Sequence, residues 1–435
     1  MAYQGQFGVH FAIHQPGYVD YSATELVALA KSAADQGFEH VWINDNFKAR
    51  HTCSLLAAIA VHSECGLGTL VTYPYARNPI DLATAFGTIA ELLNGRELTV
   101  GISTGAWAIQ GALVDQPSPT QCVREAIELC RALLSGYDVD FHRYPTLTSY
   151  FHIKESARFH LQFRLQRPVS FWIPPKGPRM LRLAAEICDG VLFNTYTQFA
   201  ALPFLRDGTL DRTIAEMEQM RSAAGNKTPL RRTFKLDVSL DDDGDAARHF
   251  AQNFVSFNAA DDANHYKKFG LPADQLEALQ ARYRDGVEIS EAARTVGREL
   301  VDWVVMAGTP ADVQDRFAEY VDAADRLGFE QIIIAVPLGP NPRRAVELAS
   351  HDLVKKVIRK VSEASALATR MFGGLQRGGT VLIPRCQKIK ALASLRSGLI
   401  AHRRNAGASR IPGRSPRPAQ KIRLHLNRRE SLSSS

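Results

Sequence analysis

Pro168–Asn194 reads PVSFWIPPKGPRMLRLAAEICDGVLFN. Val169–Ile173 is a short apolar run of strand type, and Pro-Pro-Lys-Gly-Pro breaks it sharply. Met180, Leu181, Leu183, Ala184, Ala185 and Ile187 then recur at helical spacing, and Val191–Phe193 reads as a second strand. Strand, polar loop, helix, strand is the repeating unit of a parallel sheet. Pro178 suits a first helical turn, where its missing N–H costs nothing. Gly177, after Pro175, lets backbone approach a ligand closely. The loop thus offers helix N-terminal N–H groups beside Lys176 and Arg179, the setting a phosphate needs. An ordinary strand-to-helix turn with two solvated cations remains the alternative.

The same alternation runs outward in both directions. Phe7–Ile13 reads as strand one, Ala23–Gln36 as a helix with Gly37 past its end, and His40–Ile43 as strand two. Thr52–Ser63 is helical, Gly68–Thr72 is strand three, and the helix Ile80–Leu93 follows. Leu98–Ile102 is strand four, and Pro119–Leu134 is a helix for which Thr120 is a possible cap. Tyr137–Gln166 is irregular and rich in aromatics, a stretch that could form a lid. Strands five and six flank the helix quoted first. Thr213–Ala224 is helical, Thr233–Leu240 is strand seven, and Asp243–Val301 is a mostly helical insertion before the last strand. Asp312–Leu327 is a helix and Gln331–Val336 is strand eight. Eight strand–helix pairs in alternation predict an α/β fold, a (β/α)8 TIM barrel, over residues 1–362.

Composition narrows the function classes. No apolar run approaches membrane-spanning length, and the N-terminal residues lack a basic region followed by a long apolar core. The six cysteines form no CxxC pair and no zinc-type cluster, so they read as small buried hydrophobes in a reducing, cytoplasmic setting. The net charge of +7 is an average of two unlike parts. Residues 370–435 hold 15 Lys and Arg against one acid, Glu430, so that +14 resides there and −7 on residues 1–369. Treating the whole chain as a nucleic-acid binder would be an error of averaging. Residues 363–435, rich in Arg, Ser, Gly and Pro, lack periodicity and read as a disordered basic tail. That tail is either an extension without a partner or an arm for RNA or a membrane surface.

In a barrel of this kind the site lies at the C-terminal ends of the strands. Those ends carry His10, His14 and Gln15; Asn44, Asp45 and Asn46; Thr72 and Tyr73; Ser103, Thr104 and Gly105; Lys176 and Gly177; Asn194, Thr195 and Tyr196. Such a rim has many hydrogen-bonding groups and few acids. It suits a polar, multi-ring ligand with a phosphate better than a metal, which would want clustered carboxylates and histidines. His10 and His14, four apart and so on one strand face, are candidates for proton transfer, His14 the nearer to the rim. A lone strand histidine is more often structural; the pair on one face is what raises the functional reading. A helix cap is the alternative reading of Asp45 and of Thr104.

The segment quoted first resembles the P-V-x-(I/V)-A-A-x-G-P-K-M stretch of the luciferase-like monooxygenase superfamily. LGTLVTYPYARNPIDLATAFGTIAELLNGRELTVGISTG, Leu67–Gly105, and MAGTPADVQDRFAEYVDAADRLGFEQIII, Met306–Ile334, are similar to two further family segments. The branch most resembled is the deazaflavin (coenzyme F-420)-dependent reductases, which include methylenetetrahydromethanopterin reductase. The resemblance implies an enzyme transferring hydride between F-420, or alternatively FMN, and a small organic substrate. An FMN-dependent monooxygenase or a non-catalytic flavin-binding barrel is the other outcome. It also implies a homodimer formed through helices two and three, and a non-prolyl cis peptide at Leu70-Val71 supporting the central ring of the cofactor. The family usually has Asp-His where this chain has Asp45-Asn46, and an acid where it has Ala106. Asn46 cannot act as acid or base but can donate a hydrogen bond. The loss of the acid argues against a sugar-phosphate substrate. The cofactor-binding residues so implied are Asp45, Leu70, Val71, Thr72, Thr104, Gly105, Pro175, Lys176, Gly177, Pro178 and Arg179; the catalytic candidates are His14, His10 and Asn46.

Overall fold

The computed structural model describes residues 3–13, 21–46, 49–75, 77–105, 113–195, 197, 199–267, 271–284 and 289–357. Eight parallel strands form a closed barrel: β1 Gln6–Phe11, β2 His40–Ile43, β3 Gly66–Thr72, β4 Leu98–Ile102, β5 Ser170–Ile173, β6 Gly190–Asn194, β7 Arg231–Leu240 and β8 Gln331–Leu338. Each pairs with its sequence neighbour, and β8 pairs with both β7 and β1, which closes the ring. The fold is the TIM barrel expected. The chain divides into units Met1–Thr369 and Arg370–Ser435, and only the first contains described residues. The reading of residues 363–435 as a disordered tail therefore falls outside them.

Period-two alternation decides what faces inward. Trp42, Leu70, Trp172, Leu192, Ile333 and Ala335 form an inner apolar cluster separate from the larger core under the helices. Two tryptophans fit because glycines face them. A Cβ on Gly68 would lie 2.3 Å from the Trp42 ring, and one on Gly190 would lie 2.3 Å from the Trp172 ring. The Trp42 indole N–H donates to Gln331 Oε1 at 3.0 Å, and the Trp172 N–H donates to Ser170 Oγ at 2.7 Å. Beneath them Arg231 lies over the Trp172 ring at 5.1 Å and pairs with Glu97 and Glu330. This floor closes the N-terminal end of the barrel, so a ligand can reach the interior only from the C-terminal end or through the wall.

The helices follow local signals. Ser22 and Glu25 make a capping box for Ala23–Asp35, and Gly37 sits at φ +100° past its end. Thr309 and Asp312 do the same for Pro310–Leu327. Thr120 is not a cap: the helix Pro119–Leu134 begins after Ser118, which is left-handed at φ 45° and makes no side-chain cap bond. The insertion contains five helices among the described residues, from Gly244–Asp261 to Arg298–Val304. It ends in a short strand, Met306–Gly308, absent from the sequence reading, which pairs with Val238–Leu240 of β7. Tyr137–Gln166 is more ordered than its composition indicates. It holds the hairpin pair Val139–Asp140 and Arg158–Phe159 and the helix Pro145–Tyr150. The buried Glu125 carboxylate fastens that helix by accepting from the Leu147 N–H at 2.9 Å. No helix among the described residues is long and apolar enough to cross a membrane.

Candidate functional site

At the end of β2 the chain turns outward and leaves Asp45 buried at the rim. Three donors converge on its carboxylate. Thr72 Oγ1 at the end of β3 donates to Oδ2 at 2.8 Å, Arg77 Nη1 donates to Oδ2 at 2.5 Å, and Thr52 Oγ1 donates to Oδ1 at 3.0 Å. Arg77 Nε also donates to His51 Nε2 at 3.1 Å, and His51 caps the helix Thr52–His62. Asp45 is thus the knot joining the ends of two strands to the starts of two connections. Asn46, beside it, is also buried, and its carbonyl accepts from the Ala49 N–H at 3.2 Å.

Next around the rim, the Leu70–Val71 peptide is cis, at the position the family resemblance implied. The β3–β4 register slips between Thr69 and Thr72, so the strand bulges inward there. Leu70 belongs to the inner cluster and the half-buried Val71 packs against it. The Ser103 N–H donates to the Thr72 carbonyl at 3.0 Å, which sets Thr104 and Gly105 at the mouth; Gly105 adopts φ +83°, a conformation that favours glycine. The Thr104 carbonyl accepts from Gln116 Nε2 at 3.2 Å. Residues 106–112, where the family acid is replaced by Ala106, lie outside the described residues, as does His14.

After β5, Pro175 is buried and Lys176, Pro178 and Arg179 are exposed. The helix Pro178–Ile187 has Pro at its start, and Gly177, the preceding residue, gives it no side-chain cap. The N–H groups of its first turn have no helical acceptors, as in any helix. A Cβ at Gly177 would meet no protein atom within 4 Å, and its φ of −150° is open to any residue. The protein itself does not require glycine here; the open space lies over an uncapped helix N-terminus. Lys176 Nζ donates to Asp262 Oδ2 of the insertion at 3.0 Å, so one loop cation is already engaged.

Inside the mouth lies a group that the sequence reading caught only in part. His10 is 3% exposed and neither ring nitrogen has a partner. Burial, with Lys235 nearby, lowers its pKa well below the ordinary histidine value, so the ring is neutral. Asn194 is buried with its side-chain oxygen unpartnered. Lys235 and Asp237, both on β7, form a buried ion pair. Burial pushes the Asp237 carboxyl up to about 6 against the opposing pull of Lys235, and Asp237 Oδ2 has no partner. The sequence carried a signal for this pair. Thr233, Lys235 and Asp237 alternate with Phe234, Leu236 and Val238, which places two ionisable groups on the inward face of strand seven. Asp237 also lines a cavity of about 730 Å³ with Thr195, the helix Leu202–Arg206, the helix Arg298–Val304 and the start of Pro310–Leu327.

The chain is 28% identical over 364 residues to 5,10-methylenetetrahydromethanopterin reductase of Archaeoglobus fulgidus, covering 81% of this chain and 99% of that one. It is 25% identical to the F420-dependent glucose-6-phosphate dehydrogenase of Kineococcus radiotolerans, covering 77% and 93%. Among solved structures, the coenzyme F420-dependent tetrahydromethanopterin reductase of Methanopyrus kandleri superposes with a TM-score of 0.65 at 22% identity, covering 81% and 99%. A monooxygenase from Streptomyces bottropensis superposes with a TM-score of 0.55 at 19% identity, covering 81% and 99%. The sequence profile of the luciferase-like monooxygenases matches residues 5–335, and the chain therefore belongs to that family.

Proposed function

We propose that this protein is an oxidoreductase that transfers hydride between the deazaflavin coenzyme F-420 and a small organic substrate. The observation that carries the reading is the joint presence of two features at one barrel mouth: the bulged Leu70–Val71 segment over the inner cluster and the open, uncapped helix start at Gly177. Together they fit a flat ring system at one end and a phosphate at the other. The glucose-6-phosphate dehydrogenase relative and the superposed tetrahydromethanopterin reductase are named for F420, which favours it over FMN.

When bound, the deazaflavin supplies two-electron hydride chemistry; the chain supplies position, dryness and protons. Leu70 and Val71 would support the ring, with Thr72 held in place through Asp45 and Thr104 and Gly105 beside it. The first-turn N–H groups after Gly177, with Arg179, would take the phosphate. Asn46 would donate a hydrogen bond to a ring carbonyl. The tryptophan floor keeps water from the opposite end. His10 would hold or move a proton at a ring nitrogen, since it alone among the named candidates is a described, buried and unpartnered titratable group. His14 would serve the same end nearer the rim. We place the protein in the cytoplasm as a homodimer, a state favoured by exposed apolar side chains on two neighbouring helices, Val61 and Leu92.

Anaerobic titration with F-420 and, separately, FMN, read by fluorescence quenching, tests this. Tight binding of F-420 alone is expected. Tight binding of FMN alone would make the protein a candidate monooxygenase instead, and binding of neither would indicate a barrel without a redox role.

A further inference from the structure

The cavity of about 730 Å³ beside β7 is lined by none of the residues assigned to the cofactor. Its lining combines apolar side chains, Leu202, Pro203 and Trp303 among them, with four arginines, Arg206, Arg248, Arg298 and Arg316. Three of these have acids of their own. Arg206 Nε and Nη2 donate to Glu319 at 2.8 and 2.7 Å, Arg248 pairs with Asp245 and Asp312, and Arg298 Nε lies 3.5 Å from Asp302.

Arg316 is the exception. It is half-buried, and among the described residues it makes no ion pair; its hydrogen bond is a long one, from Nη1 to the Val305 carbonyl at 3.5 Å. Asp302 and Glu319 attract it only from beyond pairing range, and Arg206 stands near enough to repel it. The other polar groups of the lining do not relieve it. The Thr195 and Tyr320 hydroxyls donate to the Lys235 and Ala200 carbonyls at 3.3 and 3.1 Å, the Asp237 carboxylate pairs with Lys235, and Glu299 is exposed. A partly desolvated guanidinium that lacks a counter-charge is unfavourable, because its lost hydration is not replaced. Burial lowers its pKa, yet an arginine keeps its proton.

We propose that this cavity is a binding site for an organic monocarboxylate, its carboxylate held by Arg316 and its hydrophobic body lying against Leu202, Pro203 and Trp303. The planar guanidinium fork matches a carboxylate. Arg206 Nη1, which has no acceptor among the described residues, is a second donor beside it. Charge selects the class of ligand. Arg206 and Arg316 share the attraction of one carboxylate, Glu319, so one positive charge is left over. A monoanion balances it, whereas a phosphate ester with two negative charges brings one too many. The volume is that of a small-molecule pocket. The site stands whether or not F-420 binds at the mouth.

Thermal unfolding and titration calorimetry of the full-length protein test the site. The probes are 1-naphthoate and cyclohexanecarboxylate, with 1-naphthamide and cyclohexanecarboxamide as their neutral matches and 1-naphthyl phosphate as the dianion. At millimolar concentration at least one carboxylate should raise the Tm. Its amide should bind at least about tenfold more weakly. R316Q should weaken carboxylate binding by a similar factor, R316K by less, and W303A should weaken it through the apolar wall. R316M, which keeps the stem and removes the charge, should unfold no more easily than wild type, since no protein carboxylate loses a partner. Binding of neither carboxylate would overturn the proposal, as would an amide that binds as well as its acid, or unchanged affinity in R316Q. Tighter binding of 1-naphthyl phosphate would overturn the carboxylate assignment. A destabilised R316M would mean that the protein supplies the counter-charge itself, and would remove the site.

Discussion

Asp45 shows how one side chain can be visible in the sequence while its partners are not. Its place at the end of strand two marked it as a rim residue, and a cap or a cofactor contact was the natural reading. The structure gives it Thr52, Thr72 and Arg77, and the last two come from the end of the next strand and the loop after it. Contacts between the ends of neighbouring strands depend on barrel closure and register, which local spacing does not encode. Asp45 and Arg77 have side chains 2% and 14% exposed, so removing one leaves the other buried and unpaired. D45A is expected to cost about 3 kcal/mol in urea unfolding. D45N should also destabilise, because a neutral amide leaves the buried Arg77 guanidinium without its counter-charge. A D45A protein as stable as wild type, yet deficient in F-420 binding, would assign Asp45 to the cofactor alone. Lys235 and Asp237 teach the complementary lesson. Their inward direction was readable from alternation within strand seven, but the burial of their ion pair depends on closure of the barrel around them, a feature of pairing between elements.

At the scale of the element, the barrel was legible because its strands and helices have opposite periods and sharp breaks between them. What the sequence left open was how wide the interior could be. Trp42 and Trp172 are large for the inside of an eight-stranded barrel, and they fit only because Gly68 and Gly190 supply no side chain on the facing positions. G68A and G190A would each push a Cβ to 2.3 Å from a tryptophan ring buried on all sides. Each should cost about 1–3 kcal/mol, measured as a shift in the denaturation midpoint. G177A provides the contrast: with no atom near the new Cβ and an extended φ, it should unfold as wild type within about 0.5 kcal/mol. Its effect should instead be weaker F-420 binding. A destabilised G177A would mean that the glycine serves the fold, and the open space above the helix start would lose its functional reading. Met306–Gly308 was missed because three residues before a capped helix carry no period of their own; only the free upper edge of β7 makes them a strand.

The whole molecule raises a question that no single element answers: what covers the apolar residues that the barrel leaves outside. The helix Thr52–His62, TCSLLAAIAVH, is apolar on nearly all sides, whereas a helix on the outside of a barrel ordinarily turns a polar face to water. Leu55, Leu56 and Ile59 are buried against the barrel, while Val61 is 58% exposed. Leu92, at the end of the neighbouring helix Pro79–Leu92, is 38% exposed. The body, residues 1–369, carries a net charge of −7, so its copies repel at long range unless an apolar contact of adequate size brings them together. A stable dimer needs about 800 Å² from each partner, more than these two side chains provide, so the face must include the rest of both helices. Light scattering of the wild-type protein at micromolar concentration should give twice the 48.1 kDa chain mass. V61R places a charge in the proposed contact and should give the single-chain mass with F-420 affinity unchanged, since Val61 is at the end of a helix that runs from the mouth back to the N-terminal end of the barrel. A monomeric wild type would remove the dimer, and a V61R protein that remained dimeric would move the contact to another face.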